Sequence, residues 1–154
     1  MKTLITALFA LFIITSSTKT YSQSSTTMQD ILETVTTKVV ELEDEKNQEA
    51  VNITLDLIVN QGKKMVYRNL DPSFDYTAVL FGDRRVSKLK LSVHKKAGEN
   101  WDYVSELSSA SPSIKINPAE YEQYEFTVSI DSFKGDNTAG HFALLLYHRN
   151  PVKK

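Results

Sequence analysis

Three histidines, His94, His141 and His148, are the side chains best suited to metal ligation or proton transfer near neutral pH. A zinc centre or an activated nucleophile needs several such groups to converge. Strand alternation turns His94 outward, and His141 and His148 flank one predicted strand at opposite ends, about 23 Å apart if extended. They cannot share a metal and read as surface histidines. Asp131, Asp136 and Asn137 could offer oxygens to calcium, but their spacing has no EF-hand order. Asp71, Asp75 and Asp83 read as turn formers, and no G-x-S-x-G occurs to make a nucleophile elbow. The residues therefore predict no enzyme, no cofactor and no metal. Trp101, Tyr103 and Tyr121 could form a platform for a glycan on a sandwich rim, against the plainer reading that they fill a core or cover an edge. Asn52-Ile53-Thr54 is a formal glycosylation sequon, with Asn52 turned outward by alternation.

The first residues carry an address. Lys2 precedes an uncharged apolar run, Leu4 to Ile14, and small hydroxyl residues follow from Thr15 to Thr18. That is the plan of a secretory signal peptide, predicted over 1–22 with cleavage before Gln23. The run is too short for a membrane span, which needs roughly 18 or more apolar residues. The predicted destination is the periplasm or the extracellular space, with no transmembrane anchor.

Composition narrows the partners. There is no cysteine, so neither disulfides nor a lipid on an N-terminal cysteine are expected. Removal of Lys2 and Lys19 with the signal leaves 16 of the 18 basic side chains against 19 acidic ones. That balance excludes a nucleic-acid footprint. The pairs Lys63-Lys64, Arg84-Arg85 and Lys95-Lys96 lie near predicted turns and read as solvated charges.

These residues must be held by elements, and the periodicity supplies them. Met28, Ile31, Leu32, Val35, Val39 and Leu42 recur at helical spacing and draw one apolar stripe. A helix is predicted over 27–47, with Thr27 and Asp30 as a variant capping box. The stripe needs a covering surface, either the chain's own sheet or a partner. From Val51 the period becomes two: Val51, Ile53, Leu55, Leu57 and Val59 are expected on the buried face and Asn52, Thr54, Asp56, Ile58 and Asn60 on the mostly wet one. Further strands are predicted near 65–70, 76–81, 88–94, 101–107, 114–116, 124–130 and 142–147. About eight strands with no helices between them predict a mainly all-β, antiparallel jelly-roll sandwich over 51–150, behind a leader and helix over 23–50.

Gln61-Gly62-Lys63-Lys64-Met65-Val66-Tyr67, Leu89-Lys90-Leu91-Ser92-Val93, Tyr124-Glu125-Phe126-Thr127-Val128 and Gly140-His141-Phe142-Ala143-Leu144 together resemble the bacterial pre-peptidase C-terminal type of jelly-roll module over about 53–148. The resemblance implies a non-catalytic module of a secreted protein. Val86-Ser87-Lys88-Leu89-Lys90-Leu91 carries lysines where the family strand often carries acids, so a cation-binding role is not implied. The expected function is that of an exported accessory or binding protein. It would engage a protein or cell-envelope partner through its sandwich surface and helix stripe, or alternatively a carbohydrate through the rim aromatics.

Overall fold

The computed structural model describes residues 26–149. The segments read as signal peptide and the first residues of the leader lie outside the described residues. Helix α1 (Thr27–Val40) runs into a π-helical turn (Glu41–Glu45). Its cap is Thr26, one residue before the expected one. The Thr26 hydroxyl accepts from Gln29 N (3.2 Å), and Gln29 Oε1 accepts from Thr26 N (2.8 Å). Eight strands follow: β1 (Gln48–Val59), β2 (Lys63–Leu70), β3 (Tyr76–Gly82), β4 (Val86–Ala97), β5 (Asn100–Ser109), β6 (Ser113–Ile116), β7 (Glu122–Phe133) and β8 (Ala139–Arg149). No helix among the described residues is long and apolar enough to cross a membrane.

The strands form two antiparallel four-stranded sheets, ordered β1-β8-β3-β6 and β2-β7-β4-β5. This is the jelly-roll order, in which consecutive strands cross between the sheets except for the hairpin β4–β5. The inner faces share one core, with Leu89, Leu91, Val93, Phe126, Val128, Phe142 and Leu144 sealed from solvent. Val86, where β4 leaves the β3 turn, packs into a slot that two glycines keep open. A Cβ on Gly82 would lie 2.8 Å from Val86 Cβ, and one on Gly140 would lie 2.5 Å from Val86 Cγ2.

The outer face of the first sheet is covered by α1. Ile31 and Val35 pack on Ala143, with Leu55 and Phe81 beside them, and Leu42 packs on Val79 and Leu145. Burial of such side chains stabilises by about 1.5–3 kcal/mol each. A threonine-diluted helix, marginal alone in water, is thereby held in place.

Two expectations about β1 are corrected. A bulge between Ala50 and Asn52 resets its register. Beyond it Asn52, Thr54 and Asp56 stand opposite Leu146, Leu144 and Phe142, on the inner side of the sheet. The apolar set instead lies on the outer, helix-covered side, but α1 reaches only Leu55. Ile53, Leu57 and Val59 stay 44%, 39% and 58% exposed. Asn52 faces inward, half-buried, and accepts a hydrogen bond from the Thr54 hydroxyl (3.0 Å).

Candidate functional site

Among the described residues, no helix covers the outer face of the second sheet. Its cross-strand rows follow from the register. Tyr67, Glu125, His94 and Tyr103 form one row from β2 to β5, and Met65, Thr127, Ser92 and Glu106 form the next. Trp101 lies beyond Tyr103, paired with Lys96. A bulge on β5 at Val104, where the β4 register shifts between Val93 and His94, makes this face continuous. Val104 turns into the core, while Tyr103 and Trp101 join Glu106 on the outside.

The aromatic side chains lean over the middle strands. Tyr67 and Trp101 start on the two edge strands, yet their ring centroids are 5.5 Å apart with planes tilted by 40°. The Lys96 ammonium sits 4.9 Å from the Trp101 ring, a cation–π distance. Tyr103 meets the His94 ring edge-on at 5.9 Å and is 66% exposed. Beneath, His94 Nδ1 is buried and lacks a hydrogen-bond partner among the described residues; Glu125 Oε1 lies 3.8 Å away. Hydrogen bonding to Glu125 pushes the Tyr67 phenol up from its ordinary value.

Further along the same face, on the side of the Tyr67 row away from Trp101, is a hollow of about 260 Å³ lined among others by Lys63, Lys90, Ser92, Glu106 and Thr127, and by none of these rings. Glu106 accepts from Ser92 Oγ (2.6 Å) and pairs with Lys90 Nζ (2.8 Å). Lys90, then Ser92, hold the Glu106 carboxyl below its usual range. Glu125 accepts from Thr127 Oγ1 (2.9 Å). The hollow thus offers fixed donors and acceptors on the same sheet face as the ring pair, one cross-strand row away from Tyr67.

A second polar cluster ties α1 to the sandwich. The Asp83 carboxylate is buried and accepts from Arg85 N (2.9 Å), Arg85 Nε (3.1 Å) and His141 N (2.8 Å). Burial raises the Asp83 pKa, but the Arg85 guanidinium and the His141 and Arg85 backbone N–H groups outweigh it, and the net shift is downward. Arg85 Nη2 approaches His141 Nδ1 (3.0 Å), as does Thr27 Oγ1 (3.3 Å). Asp83 Oδ2 lies 3.3 Å from the same nitrogen, so whether Nδ1 accepts from the guanidinium or donates to the carboxylate depends on the tautomer. Hydroxyl, guanidinium and carboxylate all crowd the same ring nitrogen. A nucleophile triad would need hydroxyl and carboxylate on opposite nitrogens. The cluster is structural.

No family model matches the chain, and no curated protein matches it in sequence. Among solved structures, the mitogen of Yersinia pseudotuberculosis is similar, with 11% identity over 67% of this chain and 88% of that chain, and a TM-score of 0.45. A protein of the Bacillus endospore appendages, which form disulfide-linked pili, is 13% identical over 67% of this chain and 92% of that chain, with a TM-score of 0.35. The Clostridium thermocellum xylanase 10B, with CBM22-1 and GH10 modules, is 16% identical over 70% of this chain but only 26% of that chain, with a TM-score of 0.38. These likenesses are of fold alone.

The structure sorts the residues singled out in the sequence. Ile31, Val35 and Leu42 are sealed against the chain's own sheet and Val39 is half-buried there, so they are not open to a partner; Met28 and Leu32 remain exposed. Trp101 and Tyr103 share the outer face of the second sheet. Tyr121 is exposed on the connection before β7, and its ring meets neither. Tyr67 was missed, although its place in the alternating run Lys63 to Leu70 put it on the same face as Met65. His148 is buried rather than on the surface, stacked on Phe74 at 4.1 Å. No group of three or more His, Asp or Glu that could hold a metal occurs among the described residues. Asp131 bonds Ser108, and Asn137 bonds the Lys134 carbonyl.

Proposed function

We propose that this protein is an exported, non-catalytic binding module that holds a carbohydrate on the outer face of the sheet β2-β7-β4-β5. The observation that carries the reading is the meeting of Tyr67 and Trp101 across the face, on the same sheet surface as a hollow lined by Ser, Thr, Glu and Lys side chains. Sugar rings present apolar C–H faces and polar rims. Aromatic planes take the first, and the Glu106, Lys90 and Thr127 groups take the second. The first sheet is unavailable for this role, because α1 covers its outer face. The module belongs with exported accessory domains of the pre-peptidase C-terminal kind, and it acts in the periplasm or outside the cell, with a mature N-terminus near Gln23.

Affinity electrophoresis of the purified protein in gels containing soluble polysaccharides tests this. Retardation by at least one glycan that is lost in Trp101→Ala is the expected result. Uniform mobility across a broad glycan panel would remove the reading. N-terminal sequencing checks export: intact Met1 on cytoplasmic protein would rule it out.

A further inference from the structure

On the opposite side of the molecule from the aromatic face, β1 is an edge strand, bonded among the described residues only to β8. Leu57 stands opposite His141. The His141 N–H goes to Asp83 Oδ2 (2.8 Å) and its carbonyl accepts from Asp83 N (3.1 Å), both toward β3. Leu57 and His141 are therefore a non-hydrogen-bonded pair, and the Leu57 N–H and carbonyl point away from β8. By alternation the backbone groups of Ile53, Leu55 and Val59 point the same way. Among the described residues two of these edge groups have partners: Leu57 N donates to Asp56 Oδ1 (2.7 Å), and the Val59 carbonyl accepts from Gly62 N (2.9 Å). The same residues carry the exposed apolar side chains that α1 fails to cover. Exposed Leu32 and Met28 extend that surface. Asp30 turns to Arg84 in the β3–β4 turn (3.0 Å), and helical spacing puts Leu32 and Met28 on the flank facing β1. A long apolar edge with free backbone groups is a template for another strand.

We infer that the free edge of β1 pairs antiparallel with β1 of a second copy, about a two-fold axis at Leu55. The sequence of the strand is self-complementary in that register. Ile53 faces Leu57 of the other copy, Val51 faces Val59, and Leu55 faces itself, so every outer pair is apolar. The one charge between Val51 and Val59, Asp56, falls opposite Thr54, a hydroxyl donor, rather than opposite its own copy. Sliding the register by four residues would centre the axis on Leu57 and carry Ile53 off onto Gln61. The two-fold also matches residues 53, 55 and 57, whose backbone groups face the edge, so the Ile53–Leu57 and Leu55–Leu55 pairs exchange both hydrogen bonds. Asp56 releases the Leu57 N–H to the partner and keeps its ion pair with Lys64 (2.7 Å). Two four-stranded sheets become one of eight strands, and the aromatic faces remain free.

Light scattering on the purified protein, with register-specific substitutions, decides this. The wild type should show twice its single-chain mass at tens of micromolar (~50 µM) and dissociate on dilution. Ile53→Lys alone and Leu57→Glu alone should each give single chains with melting temperatures close to the wild type, since both sites are exposed. The double variant Ile53→Lys/Leu57→Glu should recover the doubled mass, because the register sets the two substituted positions opposite each other, twice per dimer. A wild type that stays single-chain overturns the proposal and leaves the edge to a strand from a different protein. A doubled mass that survives both single substitutions, or singles that the double variant fails to rescue, overturns it as well. None of these outcomes depends on glycan binding.

Discussion

The ring of Tyr67, on one edge strand of the second sheet, touches the ring of Trp101, on the other edge strand, with centroids 5.5 Å apart. Three strand spacings separate their backbones, about 14 Å in a flat sheet. The rings close that distance by leaning inward over the middle strands, with the Lys96 ammonium 4.9 Å from the Trp101 ring. A face built this way presents aromatic surface at its centre and charged groups around it.

That arrangement predicts a separation of binding from stability. Trp101→Ala removes the ring contact and the stacking surface, worth roughly 1–2 kcal/mol, or about tenfold in affinity for a retarding polysaccharide. The fold should be little affected, since Trp101 lies outside the core. Tyr121→Ala, outside the ring contacts, should leave affinity unchanged. Isothermal titration of the three proteins checks the pattern; equal loss in both variants would refute it.

Gly140 and Val86 predict a steric coupling. Gly140→Ala would place a methyl 2.5 Å from Val86 Cγ2 in a closed part of the sandwich. Overpacking of this kind costs about 1–3 kcal/mol. Adding Val86→Ala should make Gly140→Ala much less costly, so the double-mutant cycle in urea should show a coupling of about 1 kcal/mol or more. Additive losses would mean that the backbone shifts to absorb the methyl.

Asp83 predicts the acid limb of stability. Its folded pKa lies below its unfolded value near 3.8. The unfolded chain therefore binds the proton first as pH falls, and stability rises with pH through that window. The contribution is complete above about pH 5 and is lost as the pH falls through the folded value. Asp83→Asn should lower stability at neutral pH and flatten the curve below pH 4 (roughly the carboxylate range). Asp83→Ala, which leaves Arg85 unpaired, should cost on the order of 3 kcal/mol. Urea midpoints from pH 2 to 7 measure both; a slope unchanged in Asp83→Asn would assign the acid limb to other carboxylates.

Val35 and Leu32 predict how α1 is held. Both are apolar and belong to one stripe, but Val35 is sealed on Ala143 and Leu32 is exposed. Val35→Asp should destabilise by about 3 kcal/mol, because it buries an unpaired charge. Leu32→Asp should change stability by less than about 0.5 kcal/mol. Thermal melts followed by circular dichroism distinguish the two, and equal effects would contradict the docking of α1.

Periodicity by itself determined the strands, the helix and the jelly-roll class. Alternation in Leu89–Val93 and Tyr124–Ile130 leaves no other way to bury those side chains, and the spacing of Ile31, Val35 and Leu42 leaves no other stripe for the helix. The direction in which a strand faces was decided only in three dimensions. One extra residue at Val51 and another at Val104 each reverse the alternation beyond them. The first turns the apolar set of β1 away from the core. The second brings Trp101 and Tyr103 onto the face that carries Glu106. No local pattern marks either bulge, because a bulge is fixed by the partner strand against which the register is counted. The meeting of Tyr67 with Trp101 is likewise tertiary. The residues are 34 positions apart, on strands that are not neighbours, and only the order β2-β7-β4-β5 and the lean of the rings unite them.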